Sequence, residues 1–391
     1  PGGMLRHAIP DYRLPRDVLD AEVERLLGLD ITLHRNVDLG NDVDLEELRE
    51  EHTLIFLGLG AQAARHLGIP GEQGPGVTTG IDYLRQRKQQ SESLKGKRAL
   101  VIGGGNTAID AARSAQRDGA DVTVLYRRSE AEMPAIGTEV DDARAECVDF
   151  RFLASPTRII RDGESIRSVQ IQGMRLGDPD EQGRRRPLPV PGALQELAAD
   201  IVIVAVAQAS DWHGLEAVDT AHRWLRTRDD GKLDKDLWAG GDDRGPSIAS
   251  RAIAQGRLAA ESAHAELRGE RSTGAASPPN PISAGAVKTD FYANQQRSQT
   301  PRRPQTEWLS NPDAEINQTI NYEQASEEAA RCMSCGLCFD CQQCFMYCNA
   351  SGFTRIQETS PGNYFALALE SCEGCGKCID ICPCGYLEAR D

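Results

Sequence analysis

Eleven of the twelve cysteines in this 391-residue chain fall between Cys332 and Cys384, and only Cys147 lies outside that stretch. No other feature constrains the fold as tightly. A disulfide framework spreads its cysteines through a small fold, whereas an inorganic cluster gathers them. Gathered free thiols also imply a reducing compartment, so the expected location is cytoplasmic.

The spacing narrows the reading further. The second run is Cys372-x2-Cys375-x2-Cys378-x3-Cys382-Pro383. This is the bacterial ferredoxin run, in which three close cysteines grip one [4Fe–4S] cluster and the fourth ligates the other. The first run offers Cys332, Cys335, Cys338, Cys341, Cys344 and Cys348, and one register reproduces the spacing: Cys338-x2-Cys341-x2-Cys344-x3-Cys348. Crossed ligation then assigns Cys338, Cys341, Cys344 and Cys382 to one cluster, and Cys372, Cys375, Cys378 and Cys348 to the other. Thiolates suit iron because it favours soft sulfur ligands here. Gly336, Gly374 and Gly376 let the backbone wrap closely. Zinc is the alternative, since it also uses Cys-x2-Cys pairs. A zinc site needs only four ligands, however, and has no use for a third cysteine followed by x3-Cys twice over. Asn349 stands where the first run would carry its proline, which loosens that turn without removing a ligand. Cys332, Cys335 and Cys384 are surplus, as packing thiols near the clusters or as additional ligands.

The length gives room for two or three domains, each with its own core. A net charge of −15 argues against nucleic acid or an anionic membrane as partner. It serves solubility or the steering of a basic partner. Mean hydropathy is negative. No apolar run approaches the ~20 residues of a membrane span; the longest, Ile201–Ala207, reads as a buried strand. The chain opens on Pro1-Gly2-Gly3 rather than Met, so it is expected to begin inside a larger protein.

Upstream of the cysteines the pattern is strand, glycine turn, helix, strand. Arg98–Ile102 reads as a strand, Asn106–Arg117 as a helix and Val122–Tyr126 as a second strand. Thr53–Leu57 and Ile201–Ala207 add two more strands, and such alternation implies parallel sheets flanked by helices. The turn Gly103-Gly104-Gly105-Asn106-Thr107-Ala108 fits G-x-G-x-x-G/A in the strand-to-helix context that gives the motif meaning. Its glycines admit a pyrophosphate to the positive helix N-terminus. At the end of the next strand, where the ribose is read, stand Arg127 and Arg128 with Glu130 just beyond. Arginines suit the 2′-phosphate of NADP and an acid suits the free hydroxyl of NAD. The pair leans towards NADPH, Glu130 leaves NADH open, and a solvated strand end is the third reading.

A hydride donor and one-electron clusters need a flavin between them. Two segments resemble parts of a flavin site: Pro1–Leu5 with Ile9–Pro15, and Trp238-Ala239-Gly240-Gly241-Asp242 before a helix from about Ile248 to Leu267. Together with the Gly103–Arg113 loop and helix, Val122–Arg128 and Met133-Pro134, they make residues 1–268 similar to the small subunit of glutamate synthase and its reductase relatives. The resemblance implies an NAD(P)-binding domain inserted into an FAD-binding domain. The expected division is 1–75 and 206–268 for FAD, 76–205 for NAD(P), 269–325 as linker or surface strap, and 326–391 as a two-cluster ferredoxin domain. The fold class is then α/β, with two interleaved Rossmann-like domains followed by a small α+β ferredoxin domain. By the same resemblance Gly2, Gly3 and Leu5 lie against the flavin. Asp242, following Gly241, bonds its ribityl or pyrophosphate portion. The family's first strand and its FAD-binding glycine loop are expected before Pro1.

The cysteine-bearing extension resembles the iron–sulfur flavoproteins that accompany dissimilatory sulfite reductase. That implies an NAD(P)H:acceptor oxidoreductase carrying FAD and two [4Fe–4S] clusters, with sulfite reductase as redox partner. A glutamate synthase-type subunit and a non-catalytic electron-transfer adaptor are the rivals, and a homodimer is compatible. The seven histidines lack ligand spacing, Cys147 reads as an inert thiol, and Arg184-Arg185-Arg186 reads as a solvated turn. No catalytic triad or carboxylate pair stands out, and hydride transfer needs none.

Overall fold

A computed structural model describes residues 1–90, 92–179, 183–216, 218, 222–270, 282–290, 293–332, 336–360 and 362–389. Cys335 and much of the 269–325 stretch near its start lie outside the described residues. The chain divides into two compact units: Pro1–Ala275 with Arg302–Asn317, and Ala276–Pro301 with Gln318–Asp391.

The first unit is built on a five-stranded parallel sheet. Its order is Val77–Thr79, Ile201–Val204, Arg98–Ile102, Asp121–Tyr126, Asp149–Phe152. Val101 sits in register between Ile203 and Val124. Both faces are covered, which is why Ala99 to Ile102 are all buried. Ala99 and Val101 face the alanine-rich helix Asn106–Arg117, whose Ala108, Ile109, Ala111, Ala112 and Ala115 are buried. Small side chains there let helix and sheet approach closely. Gly119, at φ 97°, ends that helix in a Schellman turn, with Ala120 N–H donating to Ala115 C=O. Leu100 and Ile102 face the other way, into Ile159, Ile166, Val169 and Ile171. Those residues belong to a three-stranded antiparallel sheet of Ala154–Asp162, Ser165–Pro179 and Arg185–Ala198. Arg185 and Arg186 therefore open a strand, and only Arg184 lies outside it, after the bend at Gly183.

A smaller part of the first unit pairs Ile55–Leu57 with Leu237–Ala239 in parallel, over a core of Leu45, Leu57, Leu215, Leu225 and Leu237. Ala259 and Ala263 of the helix Ala249–Leu267 pack on Trp238. The Arg302–Asn317 stretch is a strap on this unit. Its Trp308 and Ile316 are buried with Tyr12, and Arg302 pairs with Asp142 at 2.6 Å.

The second unit is a hairpin, Phe353–Ser360 with Asn363–Leu367, joined to two short helices, Gln343–Met346 and Lys377–Ile381, one from each cysteine run. Among the described residues no helix is long and apolar enough to cross a membrane.

Candidate nucleotide, flavin and cluster sites

The glycine loop shows three different requirements in three consecutive positions. Gly103 has φ 149°, and a Cβ there would stand 2.2 Å from the Ala205 carbonyl oxygen. A Cβ on Gly104 would stand 2.5 Å from the Tyr126 ring. Both are demanded by the protein's own packing. Gly105 has an ordinary φ of −93° and open space where its Cβ would be. Nothing in the protein asks for glycine there, so close approach of a ligand is the remaining reason. Gly105 caps the helix Asn106–Arg117 without a side-chain hydrogen bond, which leaves the helix N-terminus available to an anion. Ala108 is fully buried at the helix–strand contact.

The side chains of Asn106 and Thr107 frame this loop. Asn106 Oδ1 accepts from Ile136 N–H at 3.0 Å, and Gln208 Nε2 donates to Thr107 Oγ1 at 3.0 Å. Ala135 N–H donates to Gly104 C=O, and the Tyr126 hydroxyl donates to Glu132 C=O. The 132–136 segment is thereby fastened beside the glycines. Sequence reasoning missed Gln208, which the sequence marks only as the polar residue following the apolar Ile201–Ala207 run.

The two arginines expected at the ribose part company. Arg127 is exposed. Arg128 is buried, and its Nε donates to Arg185 C=O at 2.8 Å, which ties the parallel sheet to the antiparallel one. Glu130 pairs with Arg144 at 2.7 Å, and that guanidinium holds its carboxyl below the usual range.

The expected flavin residues stand on separate elements. Gly2, at φ 115°, caps the short helix Gly3–His7, which carries Leu5 and packs against the helix Gly80–Gln89. Gly241, at φ 83°, and Asp242 open the turn Gly241–Arg244. Gln255 Oε1 accepts from Gly241 N–H, and Asp242 Oδ1 accepts from Ser247 N–H. Burial raises the Asp242 pKa. The neighbour that sequence reasoning missed is Asp243. It is fully buried and its Oδ2 accepts from Leu59 N–H at 2.9 Å. Burial pushes its carboxyl up to about 6, against the pull of the Leu59 and Gly60 N–H groups, and its Oδ1 has no hydrogen-bond partner among the described residues. Asp243 thus pins the glycine-rich Gly58–Gly60 turn to the strand-to-helix turn, where Asp242 is placed to accept from a polyol.

In the second unit Cys338, Cys341, Cys344 and Cys382, with Cys384, line one cavity of about 190 Å³ walled by Phe353, Tyr364 and Phe365. That volume would hold several waters at roughly 30 Å³ each. Burial pushes the Cys344 thiol up to about 11, with Cys338, Cys341 and Cys382 adding to the rise. Among the described residues no three His, Cys, Asp or Glu side chains gather so as to hold a single metal ion. Thiols ringing a void suit a polynuclear group better than one zinc ion. Cys372 and Cys375 are exposed and Cys378 is half-buried, and burial raises the Cys378 pKa. Cys348 accepts a 3.3 Å hydrogen bond from Gly352 N–H. Cys332 is exposed, and Cys384 is buried against Cys382.

The family model for pyridine nucleotide-disulphide oxidoreductases matches residues 5–256. The chain belongs to that family. It is 41% identical over 276 residues to the NADP(+)-dependent formate dehydrogenase subunit beta of Moorella thermoacetica, covering 68% of this chain and 39% of that protein. It is 34% identical over 283 residues to the glutamate synthase [NADPH] small chain of Halomonas elongata, covering 66% of this chain and 59% of that one. The match thus spans less than two thirds of the length of each of these relatives. FprA from Mycobacterium tuberculosis, solved in complex with NADPH, shares the fold: TM-score 0.55, 21% identity, covering 69% of this chain and 77% of that one. The expected glutamate synthase-type relationship and the Rossmann-like α/β class are both borne out.

Proposed function

We propose that this chain is an NADPH-dependent iron–sulfur flavoprotein oxidoreductase that passes electrons between nicotinamide, FAD and two [4Fe–4S] clusters, to or from a protein partner. The observation that carries it is the gathering of Cys338, Cys341, Cys344 and Cys382 around one cavity, in a chain whose other unit bears the nicotinamide-type glycine loop. When bound, the nicotinamide supplies a hydride, the flavin divides it into single electrons, and the clusters carry these one at a time.

The chain's own residues bind and orient. Gly105 and the N-terminus of the Asn106–Arg117 helix receive the pyrophosphate. Arg127 meets the 2′-phosphate, while Arg128 holds the antiparallel sheet and Glu130 is engaged by Arg144. Asp242 accepts from the flavin's polyol, with Gly2, Gly3 and Leu5 against the same group. The aromatic walls of the cysteine cavity keep water from the thiolates. NADPH as donor agrees with the names of the formate dehydrogenase and glutamate synthase relatives.

Dye reduction by NADPH and NADH, in a flavin-replete preparation of the full protein, tests this. Arg127→Ala is expected to raise KM for NADPH at least tenfold (about 1.4 kcal/mol) and leave NADH unchanged. Equal effects on both donors would remove Arg127 from the 2′-phosphate. No turnover with either donor would favour the adaptor reading. For the acceptor, we infer dissimilatory sulfite reductase from the cysteine-bearing extension. Pull-down from native extract followed by NADPH-driven reduction of the recovered enzyme decides it. A co-purifying amidotransferase subunit instead would support the glutamate synthase-type reading, which the Halomonas relative favours.

A further inference from the structure

The first cavity holds one thiol too many. Five of the described cysteines line it, while a [4Fe–4S] cluster takes four protein thiolates, one per iron. The fifth is Cys384, only 2% exposed, with its Sγ 3.7 Å from that of Cys382. Two thiolates on one tetrahedral metal with bonds of about 2.3 Å stand roughly 3.8 Å apart. The two sulfurs therefore reach the same iron corner. Each cluster iron has a single terminal position, so they cannot both occupy it.

The turn that carries them is held from behind. Lys288 N–H donates to Pro383 C=O at 2.8 Å. Gly385, at φ 66°, lies so near Ile282 and Ala286 that a Cβ would be 3.0 Å from each. The turn thus keeps both sulfurs inward and close together, whereas residues two apart in an extended segment share a face but stand roughly 6.6 Å apart along it.

We propose that Cys384 is a reserve iron ligand, able to take the terminal position of Cys382 on the cluster of this cavity. This rests on the two-cluster reading above. The exchange breaks one Fe–Sγ bond and forms another. The departing thiolate takes up the proton that the incoming thiol releases, and no electrons change hands.

The test is anaerobic reconstitution of the full chain, with iron and sulfide counts and EPR of the reduced protein. Wild type should carry about eight irons. Cys382→Ala should keep about eight but change the EPR signal of one cluster, because the anchoring sulfur differs. Cys384→Ala should keep about eight with the wild-type signal. The double variant should fall to about four, as should Cys341→Ala, the control for plain ligand loss. The surviving cluster's signal shows in each case that the unit has folded. Cys382→Ala dropping to about four would overturn the proposal. So would Cys384→Ala alone dropping to four, which makes Cys384 the sole ligand. Wild type near four irons would instead defeat the two-cluster reading itself, a separate failure.

Discussion

The two cysteine runs of the second unit share a spacing and a backbone, yet they differ in what the backbone costs. Counted from the first cysteine of each register, the third and fifth residues are left-handed in both: Asp340 (φ 60°) and Gln342 (φ 62°) in the first, Gly374 (φ 66°) and Gly376 (φ 73°) in the second. The fifth residue of each run, Gln342 or Gly376, then caps a short helix, Gln343–Met346 or Lys377–Ile381. The repeated conformation at unlike residues shows that the wrap follows the cysteine spacing, not the glycines. Glycine makes the conformation free; Asp tolerates it; Gln pays for it. The first run has compensation, since Arg355 pairs with Asp340 through both nitrogens at 2.6 and 3.0 Å. It also lies inside: its four thiols are half-buried, whereas Cys372 and Cys375 are exposed. A shielded site and an open one, side by side in one unit, suit an inner relay and an outer contact.

The sharpest way to break this comparison is to remove one ligand from each run. Cys341→Ala and Cys375→Ala should each lose about four of about eight irons and keep the other set's EPR signal. Loss of all the iron in either variant would show that the runs fold as one. Next in size is exposure. Under a chelator with a mild oxidant, the visible absorbance should bleach in two phases, with the cluster of Cys372 and Cys375 going first. The order is read from which EPR signal survives the first phase; the reverse order would refute the inner and outer assignment.

Smaller effects probe the left-handed residues. Gly376 has open space where a Cβ would go, so Gly376→Gln adds conformational strain alone, about 1 kcal/mol. Gln342→Gly should gain about half of that, because glycine also loosens the unfolded chain. Gly374→Asp should fall below Gly376→Gln in cost, and urea midpoints of the holoprotein rank all three. The smallest effect is Arg355→Ala, below about 0.5 kcal/mol, since the pair is half-exposed and screened. A cost equal to that of Gly376→Gln would make the Asp340 pair the principal support of the first run.

How much of this was legible depended on whether the signal was local. Arg98–Ile102 and Asn106–Arg117 lie at the expected bounds, because an apolar strand, a glycine turn and an alanine-rich helix each declare themselves in a few residues. The antiparallel sheet of 154–198 did not. Its last strand carries Pro187, Pro189 and Pro191, which argue locally against a strand, and much of it faces solvent. It exists because Leu100, Ile102, Val202 and Val204 need an apolar cover. Asp243 was passed over for its neighbour because the two acids look alike in sequence. Only the fold buries one of them beneath Leu59 N–H.

The cysteine spacing alone yields the proposed ligand register, since thiolates at fixed intervals can grip only certain clusters. It also separated eight expected ligands from three spare cysteines. Only the tertiary structure decided that these spares are unlike. It places Cys332 at the surface and Cys384 in the cavity, 3.7 Å from Cys382. It likewise split Arg127 from Arg128, turning one to solvent and engaging the other with Arg185. In both pairs the residues are chemically identical, so what differs is burial and partners, which arise from chain segments far apart in sequence.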